Sequence, residues 1–319
     1  MSASLKITAI ICTHNRERFI EKCINSLYQQ TLDQSLYAVL VVDNGSTDRT
    51  AAICQQFTHL PNFKYVYEAE IGLSCARNTG WKVSRTPYIG YLDDDAVADR
   101  LWLEKALWSF EQVQPQPEWV GGPVQLEWEV PAPVWLSEAY YGALGWVNWG
   151  DLPRFLEAEG EWLVGCNSFY RLDVLQQLHG FDTRLGRKKN LLLSGEEVQF
   201  QHRLRALGGR LYYHPDVCMY HFVPKERTEP SFFYKRYYWG GITDYIISRT
   251  LKNTAFVPVN QQRDSQSLLK RLLSNSFRAI GCCTPTEQTI QSRIYLAYVV
   301  GWLVAAVKYS RQKMDLAAA

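Results

Sequence analysis

The chain has 319 residues, 47% hydrophobic and 21% charged, a length and balance that allow a sizeable core and exclude wholesale disorder. A net charge of +2 conceals an asymmetry: residues 1–183 hold 13 Lys and Arg against 23 Asp and Glu, and residues 184–319 hold 21 against 9. The acidic half suits a metal and the basic half suits phosphates or an anionic membrane surface, and no nucleic-acid partner is expected. Eight cysteines, at positions 12, 23, 54, 75, 166, 218, 282 and 283, form no C-x-x-C pair, and the N-terminus MSASLKITAIICTHN shows no secretory leader. That pattern predicts a reducing cytoplasm, ordinary packing of the thiols and no zinc centre.

In chain order, residues 7–12 read as a strand and residues 17–30 as a helix with apolar positions at Phe19, Ile20, Cys23, Ile24 and Leu27. A strand over 38–42, a helix over 47–57 behind a Ser46 cap, a strand over 64–67, a helix over 74–83 and a strand over 88–92 follow. Strand–helix alternation with short links predicts an α/β fold with a mostly parallel sheet covered on both faces. Ligands of such sheets sit outside the carboxyl ends of the strands. The polar clusters obey that rule: THNR follows the first strand, DNGS the second and DDD the fourth. Together they outline a nucleotide-sized site. Asp93, Asp94 and Asp95 in YIGYLDDDA also pose a question, because three adjacent carboxylates need positive charge among them.

After a helix over 98–113 and the breaker QPQPE, six tryptophans (119, 128, 135, 146, 149 and 162) fall within 44 residues. A strand over 161–170, helices over 172–178 and 197–207, and strands over 211–214 and 217–221 come next. The C-terminal part is basic and aromatic, with FFYKRYYWGG within residues 231–251. Residues 294–307 carry no charge and are bracketed by Arg293 and Lys308. Those 14 residues reach about 21 Å as a helix. That falls short of the ~30 Å hydrocarbon core, so an interfacial or packed helix is expected rather than a spanning one.

The motifs ITAIICTHNR, VVDNGSTDRT, GLSCARNTG, YIGYLDDDA, GCNSFYRLDVL…HGFD, GEEVQFQHRLRALGG and PDVCMYH resemble, in that order, those of the family-2 glycosyltransferases, over about residues 5–225. The resemblance implies a GT-A fold: a catalytic domain over 1–225, with a nucleotide-binding half (1–113) and an acceptor-binding half (114–225). A mainly helical extension over 226–319 would follow, able to associate with a membrane. It implies a nucleotide-sugar donor contacted by Thr13, Asn15, Arg16, Asp43, Arg77, Asp93 and Asp94, with Asp43 accepting a hydrogen bond from the base edge. It implies a divalent metal, Mg²⁺ or Mn²⁺, held by Asp95, Asp93 and His221, which would answer the question of the three carboxylates. Asn167 and Arg171 match the acceptor side, and at least one of the six tryptophans is expected to meet carbohydrate.

In this family an Asp after a Gly–Glu pair deprotonates the acceptor hydroxyl; here the matching residues are Gly195, Glu196 and Glu197. Glu197 therefore becomes the expected base and Glu196 its alternate, since either carboxylate can accept a proton when ionised and in reach. The implied reaction is a single displacement with inversion, from a UDP-sugar donor to a saccharide or lipid-linked acceptor, in the building of polysaccharide or envelope glycans. Its setting would be cytoplasmic and peripheral to the inner face of the membrane. A nucleotidyltransferase would need a glycine-rich basic loop after the first strand, where this chain has THNRER. A glycosyltransferase-like binding protein without chemistry is the other alternative.

Overall fold

The computed structural model describes residues 4–158, 160–188, 191–251 and 286–309. Cys282, Cys283 and residues 252–285 and 310–319 of the expected extension lie outside the described residues. The strands are β1 (Ile7–Thr13), β2 (Tyr37–Asp43), β3 (Phe63–Tyr67), β4 (Tyr88–Asp93), β5 (Ala96–Ala98) and β6 (Trp119–Gly121). They continue with β7 (Val124–Trp128), β8 (Arg154–Phe155), β9 (Asn167–Arg171), β10 (Leu211–Tyr213) and β11 (Met219–Val223). The helices are α1 (Ile20–Leu27), α2 (Thr50–Gln55), α3 (Leu73–Val83), α4 (Trp102–Gln112), α5 (Leu172–Gln177) and α6 (Glu196–Ala206), then α7 (Pro230–Thr250) and α8 (Glu287–Tyr309).

Eight strands form one sheet in the order β3-β2-β1-β4-β9-β6-β10-β8. Strand β1, ITAIICT, is apolar and almost wholly buried, as a central parallel strand must be. It runs parallel to β2 and β4, and β3 extends β2 in the same sense. Beyond β4 the sheet turns mixed, because β9 is antiparallel to both β4 and β6. Alternate side chains feed two cores. Ile7, Ala9 and Ile11 join α1 and Trp102 and Phe110 of α4 on one face. Ile10, Leu40 and Val42 join α3, α5 and α6 on the other. A second sheet, β5-β11-β7, lies after the acidic motif.

Register fixes the functional rim. Thr13 pairs with Asp43, and Cys12 with Asp93, so the ends of β1, β2 and β4 come out level.

Several element boundaries differ from expectation for local reasons. Residues 16–19 form a turn, with the Arg16 carbonyl accepting from Phe19 and Ile20, so α1 starts at Ile20 rather than at 17. Ser46 caps no helix. Asp48 Oδ1 instead accepts from the Thr50 N–H at 2.9 Å at the start of α2. The strand expected over 161–170 is only Asn167–Arg171.

The chain divides into two compact units, the first within Met1–Glu127, Gly145–Lys189 and Glu196–Phe222 and the second within Trp128–Leu144, Asn190–Gly195 and Val223–Ala319. In the second unit α7 and α8 cross with their backbones in contact. A Cβ built on Gly241 would lie 2.1 Å from the Tyr298 carbonyl oxygen, and one on Gly301 would lie 1.9 Å from that of Tyr238. No side chain larger than hydrogen fits at that crossing. Buried Asp244 accepts a hydrogen bond from the Tyr298 hydroxyl there at 2.8 Å. The uncharged run 294–307 lies inside α8.

Candidate active site

All the residues expected to bind donor, metal or acceptor or to act as the base fall in the first unit, whereas Gly195, Trp128 and Trp135 fall in the second. The turn after β1 is tied to the turn after β2. Asn15, in the left-handed region at φ 55°, accepts the Thr47 N–H at 2.7 Å, while its own N–H donates to Ser46 Oγ at 3.0 Å. The Asn44 N–H donates to the Thr13 carbonyl at 2.8 Å. Asp43 is 1% exposed, and its two oxygens accept from the Ser46 N–H (2.9 Å) and the Tyr65 hydroxyl (2.7 Å). The expectation is that Asp43 offers its carboxylate to a base; both of its oxygens already accept a hydrogen bond here. In this structure the carboxylate builds the turn and is sealed beneath it. Thr13 is likewise buried, which leaves Asn15 and Arg16 as the open members of this rim.

The charge question has a direct answer: two guanidinium groups stand among the carboxylates. Arg16 Nε donates to Asp94 Oδ1 at 3.0 Å, and its Nη2 lies 3.8 Å from Asp95 Oδ2. Arg77 Nη2 lies 3.7 Å from Asp93 Oδ1. Burial pushes the Asp94 carboxyl up to about 6; Arg16 opposes that rise, and the charges of Asp95 and Asp93 add to it. Asp94 and Asp95 are thus the enclosed members of the triplet, and Asp93 the open one.

His221 reaches Asp95 through the small sheet. Its backbone pairs with Ala96 across β11 and β5, the Phe222 N–H donates to the Asp95 carbonyl at 3.1 Å, and its Nε2 lies 3.2 Å from Asp95 Oδ1. His221 therefore sits within a strand, not at the strand end expected from the sequence. A carboxylate oxygen beside an imidazole nitrogen is a donor set that suits Mn²⁺ or Mg²⁺. Among the described residues no three His, Cys, Asp or Glu side chains converge as a ready cage. A cation here would take two protein ligands and fill its remaining positions from water or phosphate oxygens, the usual habit of Mg²⁺.

Beneath the rim, Arg77 organises the site. It is 3% exposed, its Nη1 donates to Glu196 Oε1 at 2.6 Å, and its guanidinium lies over the rings of Tyr91 (5.7 Å) and Phe181 (5.6 Å). Burial works against this cation, but the carboxylates of Glu196, Asp93 and Glu197 outweigh it and raise its pKa. Gly165 makes the space, since a Cβ there would stand 2.8 Å from Arg77 Nη1. The Arg77 fork, expected at the nucleotide, is engaged by Asp93 and Glu196, and Glu196, the alternate base, is equally buried and held by Arg77. Glu197, one residue further along the first turn of α6, is half-buried and remains the candidate carboxylate, where the helix N-terminus favours its ionised form.

The two residues expected on the acceptor side are engaged in other contacts. Asn167 is fully buried: its Oδ1 accepts from Trp102 Nε1 (2.7 Å), and its Nδ2 donates to the carbonyls of Pro123 (3.0 Å) and Val217 (2.8 Å). It is a structural clamp with no capacity left for a sugar. Arg171 pairs with Tyr88, at the start of β4 and the opposite rim from Asp93, and its guanidinium engages Asp173 and Glu118. Of the six tryptophans none is well exposed. Trp119 lies in the core and donates to Ser168, and Trp149 donates to the Trp162 carbonyl at 2.8 Å.

Two positioning residues escaped the sequence reading. Asn44 donates to the carbonyls of Glu68 and Glu70 and accepts the Gly72 N–H at 2.7 Å, which sets the start of α3. Asn78, in the same helix as Arg77, clasps Phe181 through both backbone groups. Their only signal was adjacency to Asp43 and Arg77.

The model of glycosyl transferase family 2 matches residues 8–143. A glucosyl-dolichyl phosphate glucuronosyltransferase of Haloferax volcanii is 25% identical over 247 residues, 76% of this chain and 77% of that protein. Glycosyltransferase AglE of the same organism is 31% identical over 217 residues, 67% of this chain and 66% of its own length. Among solved structures, mannosyltransferase PcManGT from Pyrobaculum calidifontis, in complex with GDP-Man and Mn²⁺, covers 99% of this chain and 79% of its own at TM-score 0.58 and 19% identity. S. aureus TarS in complex with UDP-GlcNAc covers 96% and 92% at TM-score 0.53 and 16% identity. These likenesses show the fold, a mixed α/β architecture around a large central sheet of the GT-A type.

Proposed function

Because this chain belongs to glycosyl transferase family 2, we propose that it moves a sugar from a UDP-sugar to a saccharide or lipid-linked acceptor, with inversion at the anomeric carbon. One observation carries the reading: buried Arg77 joins open Asp93 to Glu196 at the start of α6, and the Asp95–His221 pair stands two residues beyond Asp93 at the same sheet rim. The lipid-linked acceptor follows the name of a relative that acts on glucosyl-dolichyl phosphate, and we place the work in envelope or extracellular glycan assembly at the cytoplasmic face.

Each residue has a task of its own. Glu197 accepts the proton of the acceptor hydroxyl as that oxygen attacks the anomeric carbon. Arg77 holds Asp93 and, through Glu196, the start of the helix that carries Glu197, so donor site and base are kept in fixed relation. Asp93 and Asn15 meet the nucleoside diphosphate from the open side, and Arg16 offers it positive charge. Asp95 and His221 would hold the divalent cation, which when bound stabilises negative charge on the departing diphosphate.

The test is a panel of UDP- and GDP-sugars assayed with and without Mn²⁺ for thermal stabilisation and for donor hydrolysis. Stabilisation by a UDP-sugar and release of UDP are expected. Preference for a GDP-sugar would overturn the choice of base, and pyrophosphate release from a triphosphate and a sugar phosphate would overturn transfer itself.

A further inference from the structure

We propose that the outer face of α8 lies in the interface of an anionic lipid bilayer and docks the protein there. The argument uses the second unit alone, so it stands apart from the chemistry assigned to the first.

Residues 294–307 of α8 carry no charge, and the helix has a mean hydropathy of 1.5 over its most apolar window. A helix that is apolar all round is normally buried all round. This one is not. Helix α7 covers one stripe, where Ile294, Tyr298 and Ala305 are buried and Gly301 touches the α7 backbone. The other side presents Val300, Leu303, Val304 and Val307, at the i, i+3, i+4, i+7 spacing of one helical face, while Trp302 turns toward α7 and packs on Tyr245. Leu303 is 52% and Val307 78% exposed. Four of the 13 exposed large hydrophobic side chains among the described residues thus share one face of one helix. Scattered exposed apolar residues need no explanation, but a contiguous patch marks an interaction surface.

Charge and length choose the occupant. Arg293 and Lys308 bracket the uncharged run, and residues 249–319 hold ten Lys and Arg against three Asp and Glu, a balance of +7. An apolar stripe with a cation at each end, in a basic stretch of sequence, matches hydrocarbon flanked by anionic headgroups. By length and composition the 23-residue α8 could cross a bilayer, but Arg293 and Lys308 limit its uncharged run to about 21 Å, short of the ~30 Å hydrocarbon core, and α7 covers one side of it, so it lies along the interface. Interfacial helices usually carry their own polar face; here α7 takes that place on the protein side.

The test is co-sedimentation of the full-length protein with phosphatidylglycerol-containing vesicles and with pure phosphatidylcholine vesicles. Binding to the anionic vesicles, weakened by salt, is expected. Leu303→Gln with Val307→Gln should lower the vesicle partition by about tenfold, because apolar surface is removed from the contact. Circular dichroism and melting temperature should not change, since both side chains are exposed. If the protein remains in the supernatant with anionic vesicles at low salt, or the double variant binds as well as the parent, the proposal falls. It falls equally if sedimentation velocity shows the face pairing two copies of the chain without vesicle binding. Donor hydrolysis in solution is read in parallel: its failure with vesicle binding intact counts against the transfer reading alone.

Discussion

Replacing Arg77 by Met should be the most damaging single change in the first unit. The guanidinium is 3% exposed and stands 2.6 Å from Glu196 Oε1, whose side chain is 4% exposed, so water replaces neither partner. Removing one member of such a pair leaves an uncompensated buried charge, at a cost of roughly 3–5 kcal/mol. Methionine keeps much of the packing against Tyr91 and Phe181, so most of that loss is electrostatic. Replacing both partners removes the stranded charge: the double variant Arg77→Met/Glu196→Leu should be markedly more stable than Arg77→Met alone. The cycle should therefore return a coupling of about 3 kcal/mol, far above the few tenths seen for independent sites. Urea denaturation, read at constant slope for all four proteins, measures it. Additive losses, or a cost below about 1 kcal/mol for Arg77→Met, would show that the bridge is solvated and that Arg77 does not join the two carboxylate motifs.

Three further changes probe other parts of the chain. Glu197→Gln should lose roughly 10²- to 10⁴-fold in turnover with donor affinity kept, as expected for a general base; full turnover in a steady-state assay would move the base elsewhere. Asn167→Leu strands the Trp102 N–H and two carbonyls, each at about 1–3 kcal/mol, and should lower the melting temperature without raising the acceptor KM. A raised acceptor KM in a stably folded variant would restore Asn167 to the acceptor site. Burial pushes the Asp244 carboxyl up to about 6, partly opposed by the hydrogen bond from Tyr298. The unfolded value is about 3.9, so its stabilising contribution is complete below about pH 4 and is lost as pH rises through about 6. Asp244→Asn does not titrate, and its stability relative to the parent should climb by up to roughly 3 kcal/mol across that window. A difference that is flat with pH, followed by scanning calorimetry, would mean that Asp244 is solvated.

By itself the sequence determined the frame. Strand β1, its parallel neighbours and the rim on which THNR, DNGS and DDD gather follow from residue period and polarity, which are local properties. The acidic motif was legible for the same reason, and the α6 carboxylates through the resemblance of Gly195-Glu196-Glu197 to a family motif. What only the tertiary structure decided is which side chains face outward. Asp43, Arg77, Glu196 and Asn167 all read as site residues, yet each is sealed by contacts from distant segments. The Arg16–Asp94 and Arg77–Glu196 bridges join residues 78 and 119 positions apart. Burial and pairing over such separations depend on how every intervening element packs, so no local pattern encodes them.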